Sequence, residues 1–141
     1  KFSSAFGNTV GYCPVEAALS GRGLARLWAF FGGPTQDSGA AVVEAFGQGD
    51  AAATAALRRF TVNLAWFCAD LALLHLPFGG IYLAGGVGVA LAPYLTQLGF
   101  AQAYHRTGPY AHIYRSISVS VVPHRQLTLA GCAVCMAQDR R

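Results

Sequence analysis

The chain has 141 residues, enough for one domain with a real core, and 54% of them are hydrophobic against 11% charged, far below the roughly 25% charge of an ordinary soluble domain. Nine arginines and one lysine give a net charge of +4, but they are scattered, and no basic run interleaved with aromatics exists to bind nucleic acid. The low charge implies either a surface covered by something else or a membrane, and a start at Lys1 with no signal-peptide pattern reads as a piece of a longer protein.

In chain order, residues 1–15 are broken by glycine and show no clean period. Glu16 stands just before a break at Leu19-Ser20-Gly21-Arg22-Gly23, after which Leu24, Leu27, Trp28 and Phe31 fall at helical spacing with Ser20 as N-cap. Gly32-Gly33-Pro34 stops that helix, and Thr35 to Ala40 reads as an exposed loop. From Asp50 to Leu76, Leu57, Phe60, Leu64, Phe67, Leu71 and Leu74 alternate in steps of three and four, predicting one long helix. A second stripe of Val62, Ala65, Trp66, Ala69 and Leu73 makes it apolar nearly all round, as a helix buried between layers would be. Asp50 can cap its start, and Pro77 bars continuation past Leu76.

Ile81 to Ala84 then predicts a short buried strand closed by Gly85-Gly86, and Val89 to Phe100 a helix with Pro93 in its first turn. Residues 101–115 are aromatic and basic, helical or irregular. Ile117 to Val122 alternates apolar residues with serine, a strand with one exposed face, and Leu129 to Gln138 predicts a last short helix. Helices alternating with short strands give an α/β layer arrangement. The stretch 71–105 has no Asp, Glu, Lys or Arg and is long enough to span a bilayer, so a small membrane-associated protein is a rival reading. Clustered glycines and prolines favour turn–strand–turn over a spanning helix.

Three features bear on chemistry. A strand ending in Gly85-Gly86 lets backbone approach a ligand, with helix N–H groups beyond it; a tight turn without ligand is the plainer account. Glu16, one of only six acidic residues, can accept two hydrogen bonds from vicinal sugar hydroxyls, or be a solvated helix-end carboxylate. Cysteines stand at 13, 68, 132 and 135; only Cys132 and Cys135 have C-x-x-C spacing, and all four read as small core residues rather than metal ligands. The histidines at 75, 105, 112 and 124 lack ligand spacing, and His75 reads as a packed or capping residue.

In order and spacing these pieces resemble the bacterial-type glucokinases without a zinc motif. The matching runs are Glu16 to Leu24, Phe78 to Val87, Leu98-Gly99-Phe100 with Ala103-Tyr104, Gly108-Pro109-Tyr110 with Tyr114, and Ile117 to Val122. The resemblance implies the C-terminal part of the large domain of an actin-like, hexokinase-type ATPase fold over residues 1–141, with helices on a small mixed sheet. It also implies ATP-dependent phosphorylation of the glucose 6-hydroxyl in the cytoplasm, with Mg²⁺ as cofactor and the full-length protein a homodimer, touching neither nucleic acid nor membrane. The glutamate matching Glu16 binds sugar hydroxyls, and glycines matching Gly85 and Gly86 lie on the adenosine side. A later glycine-rich turn is replaced by Thr128 to Ala133, leaving Gly131 as its counterpart. The family's catalytic Asn-Asp pair has no counterpart here, since none of Asp37, Asp50, Asp70 and Asp139 follows an asparagine; the phosphate-binding hairpin is likewise absent. A catalytically dead sugar-binding or regulatory fragment is therefore a further rival reading.

Overall fold

The computed structural model describes residues 15–35, 38–124 and 126–138; Cys13, Asp37 and Asp139 lie outside them. The chain is α/β but mostly helical: α1 (Val15–Ala18), α2 (Gly21–Phe30), α3 (Gly39–Gly47), α4 (Ala51–His75), β1 (Ile81–Leu83), α5 (Gly86–Leu91), a 3₁₀ turn (Ala92–Tyr94), α6 (Phe100–Tyr104), α7 (Ala111–Ser116), β2 (Val119–Val121) and α8 (Leu127–Gln138).

The 25-residue α4 is the spine. At 1.5 Å per residue it runs about 37 Å and holds two separate cores in succession. Its first half, through Ala53, Ala56, Leu57 and Phe60, meets Leu24, Leu27 and Trp28 of α2, Val42 of α3 and Leu91 of α5. Its second half, through Ala65, Cys68, Ala69 and Ala72, meets Phe100, Tyr104, Tyr114 and Ile117. Small residues on the second half let the aromatic side chains of α6 and α7 close on the helix, and the Tyr104 hydroxyl donates 2.9 Å to the Ile117 carbonyl inside that core.

Both ends of α4 form as the sequence predicts. Asp50 caps the start, its Oδ1 accepting from Ala53 N at 2.6 Å and also from Trp28 Nε1 at 3.1 Å. Pro77 disfavours the helical region for the residue before it, and Leu76 turns to φ 46°, ψ 53°, the one non-glycine residue with positive φ among those described. Ser20 caps α2 by accepting from Gly23 N. Gly39 opens α3 against Gly21, where a Cβ would come within 2.9 Å of the Gly21 Cα, so the two helix starts touch backbone to backbone.

Several expectations are corrected. The sheet is parallel, not mixed: β1 pairs with β2 in the register Ile81↔Val119, Tyr82↔Ser120, Leu83↔Val121. Nor is β1 a buried strand, since Tyr82 is 65% exposed and its neighbours are half-buried. Ile81 N bonds to Ser118 O and Val122 N to Leu83 O, so the alternation of a strand turns the N–H and C=O of Tyr82 to the opposite edge. The loop expected through Ala40 ends at Ser38, the N-cap of α3, which starts at Gly39. The helix expected over 89–100 is broken: α5 closes at Leu91, because Pro93 supplies no N–H and its ring crowds the preceding turn. On α4 both stripes are only partly covered, with Leu74 of the first and Trp66 of the second exposed. Phe31 is exposed rather than packed. Cys68 is buried as expected, but Cys132 and Cys135 are exposed on α8, where no neighbouring element covers them. His75 is exposed and not packed, and of the two readings the position in the last turn of α4 keeps the capping one. No helix among the described residues is long and apolar enough to cross a membrane, and the uncharged stretch 71–105 divides between the end of α4, β1 and short helices.

Candidate functional site

An open cleft of about 430 Å³ lies between α1, the middle of α4 and the exit of β1. Phe60, Leu64, Phe67 and Leu71 line one wall from α4; Ile81 to Ala84, with Val87 and Gly88 beyond, line the other; Glu16 stands at the rim. The long helix positions its wall because those four residues recur at helical spacing on one face, and the strand positions the other because pairing with β2 fixes its direction.

Glu16 is exposed in the single turn of α1 and has no ion pair or hydrogen-bond partner among the described residues. It is the one carboxylate on the lining of this cleft. Cys68 lies at its floor, 1% exposed, and burial pushes the thiol from 9.0 up to about 11, so it stays protonated and inert at neutral pH. On its other side Glu16 also lines a smaller polar cleft of about 220 Å³ with Ala17, Ser20, Arg22 and Arg26.

The Gly85-Gly86 turn joins Ala84 to Val87, both on the lining of the larger cleft, but neither glycine lines it. Gly85 has φ 96°, a conformation side chains rarely adopt, so the backbone alone demands glycine there. Gly86 has no such requirement: its φ is not positive, and a Cβ on it would meet nothing within 4 Å. That open space beside the backbone would admit a ligand. Gly86 lines a third, apolar cleft of about 340 Å³, together with Gly21, Gly39 and Val87. Gly131 lies within α8 and lines none of these clefts.

The structure thus places Glu16 on the large cleft and Gly86 on the separate apolar one, with Gly85 lining neither, and leaves Gly131 apart from all three. Reading by sequence overlooked Arg22 and Arg26. Their signal was the four-residue spacing, which puts two guanidiniums on one face of α2 directly after Glu16. Tyr82 was also overlooked; it lines the cleft, and its hydroxyl donates 3.0 Å to the Gly79 carbonyl.

A family model described as Glucokinase matches residues 3–139. Among curated proteins, a glucokinase of Rhizobium meliloti is 30% identical over 124 residues, covering 84% of this chain and 37% of its own length. Glucokinases of Nostoc sp. and Synechocystis sp. are 32% and 36% identical, over 74% of this chain. The chain therefore spans about a third of the length of these relatives, from 30% of that from Synechocystis sp. to 37% of that from Rhizobium meliloti.

Proposed function

The chain belongs to the glucokinase family, and from that premise we propose that the protein phosphorylates the 6-hydroxyl of glucose with ATP in the cytoplasm. In this reading residues 1–141 form the C-terminal part of the large domain of an actin-like, hexokinase-type fold and supply substrate contacts but no catalytic base. The whole protein is read as a homodimer.

The observation that carries the reading is that a cleft of about 430 Å³ has an unpartnered carboxylate, Glu16, on one rim and Ile81 to Ala84, the strand leading into the Gly85-Gly86 turn, along another. A carboxylate can accept hydrogen bonds from two vicinal hydroxyls, while the glycine turn admits the adenosine side of a nucleotide without a Cβ in the way. Gly131 is assigned to the nucleotide side on the family match alone. The family's chemistry uses ATP with Mg²⁺, which neutralises charge on the phosphates in transfer. In this reading the ion is held mainly through the ATP phosphates.

The test is Glu16→Gln in the whole protein. The amide keeps the size but loses the charge and turns one acceptor into a donor. Charge-assisted bonds to a sugar contribute about 1.5–3 kcal/mol each, so the glucose KM should rise at least about tenfold. A smaller fall in kcat is expected from misplacement of the 6-hydroxyl, and the ATP KM should hold. Steady-state kinetics varying each substrate separately decide the matter. A glucose KM within about twofold of wild type would remove Glu16 from the site.

A further inference from the structure

The polar cleft behind Glu16 has a composition that a neutral sugar alone does not use. Arg22 and Arg26 leave the same face of α2 one turn apart and line it together with Glu16 and Ser20. Among the described residues neither arginine has an ion pair or a side-chain hydrogen bond, whereas Arg106, also at the surface, is tied to Asp70 at 3.0 Å. Nor are the two arginines bound to the carboxylate of Glu16, the nearest acidic residue in sequence.

We propose that this cleft binds the phosphate of a phosphorylated monosaccharide whose hydroxyls are held by Glu16. The inference rests on the reading of Glu16 given above and adds an anion subsite to it. Two guanidiniums against one carboxylate leave a single net positive charge at the cleft. A phosphomonoester dianion offers three oxygens to planar forks that match them two at a time. Glu16 supplies the discrimination. A bare anion would face its negative charge with no compensating donor, while a sugar phosphate brings hydroxyls that donate to it. Size points the same way. A cleft of about 220 Å³ is below the range of sites for whole drug-sized ligands, yet it can hold a phosphate joined to a sugar that reaches into the larger cleft across Glu16. A nucleotide would not fit there.

Calorimetric titration of the full protein with glucose, glucose 6-phosphate, glucose 1-phosphate and inorganic phosphate tests this directly. At low salt one sugar phosphate should bind about tenfold or more tighter than glucose, and inorganic phosphate more weakly than either. In the double variant Arg22→Gln/Arg26→Gln that advantage should vanish while glucose affinity stays within about twofold, since both side chains are exposed and neither touches the sugar hydroxyls in this arrangement. The circular dichroism spectrum and melting temperature of the variant report that it is folded. A sugar phosphate that binds no tighter than glucose, or whose advantage survives the double variant, overturns the proposal. Inorganic phosphate binding as tightly as the sugar phosphate overturns it too, by showing a plain anion patch. If glucose affinity ignores Glu16→Gln, the underlying reading fails; if glucose follows Glu16 but the phosphate ignores the arginines, only the added subsite fails.

Discussion

The carboxylate of Asp50 serves two helices with one oxygen: Oδ1 caps α4 through Ala53 N and accepts the indole N–H of Trp28 from α2. Trp28 is 6% exposed, so water can do little to replace that bond. Asp50→Ala should therefore lose the cap and strand a buried donor, costing about 2–4 kcal/mol together. Asp50→Asn keeps an acceptor and should cost less than half as much. Guanidinium unfolding of the three proteins gives both numbers. A second residue-scale expectation concerns the thiols. Cys68 is held protonated by burial, while Cys132 and Cys135 are exposed on α8. A thiol reagent at pH 8 should label the latter two and spare Cys68, as read by peptide mass mapping. Because burial raises the thiol from 9.0 to about 11, the folded state holds its proton over that interval while the unfolded chain releases it. The stability this neutral thiol contributes is intact below about pH 9 and is lost as the pH climbs to about 11. Stability measured against pH in that range should fall, and should fall less in Cys68→Ala.

Among elements, those with a strong period or a marked end were legible in the sequence. α4 was visible because its apolar residues repeat over seven turns and because Asp50 and Pro77 bound it. α2 and β2 were visible for the same reasons, through Ser20 and the serine alternation of 117–122. What failed had local signals that tertiary contact overrode. α3 is Gly-Ala-Ala-Val-Val-Glu-Ala-Phe-Gly, with glycine at each end and only one charged residue, and it is a helix because Gly39 docks on Gly21 and Val42 enters the core of α4. The split at Pro93 follows from a proline placed too late to start a helix, though either position was open from sequence alone. For the site, the carboxylate and the glycine pair could be picked out, but that Glu16 faces the strand leading into that pair across one cleft could not, because 68 residues of intervening chain separate Glu16 from Gly85 and only the β1–β2 pairing fixes where the strand falls. Glycine substitution separates the two uses of glycine. Gly39→Ala drives a Cβ against the backbone of Gly21 and should destabilise by about 1–3 kcal/mol. Gly86→Ala meets nothing and should change stability by less than about 0.5 kcal/mol, while raising the KM for ATP if a nucleotide approaches there. Thermal melts and kinetics of the two variants side by side check this.

For the molecule as a whole, two cores strung along one helix account for the composition only in part. Val15, Phe30, Leu74, Phe78 and most of α8 remain exposed, more apolar surface than a free-standing domain usually shows. In the proposed reading the positioned base that phosphoryl transfer needs belongs to an Asn-Asp pair, and the 141 residues contain no such pair. A coupled assay of the 141-residue chain alone should detect no glucose phosphorylation; turnover near about 1 s⁻¹ or faster, in the range of ordinary kinases, would contradict the assignment of roles. The two-stranded sheet has a consequence for handling the chain by itself. The outer edge of β1 offers the N–H and C=O of Tyr82 beside an apolar groove, and no lysine, bulge or proline guards the strand. No charge lies between Asp70 and Arg106 to repel a neighbour. Any extended segment that meets this edge can extend the sheet by one strand, and at high concentration the commonest extended segment in the tube belongs to another copy. Edge-to-edge pairing between copies is thus the association this edge favours when the chain stands alone, held in check by a strand only three residues long.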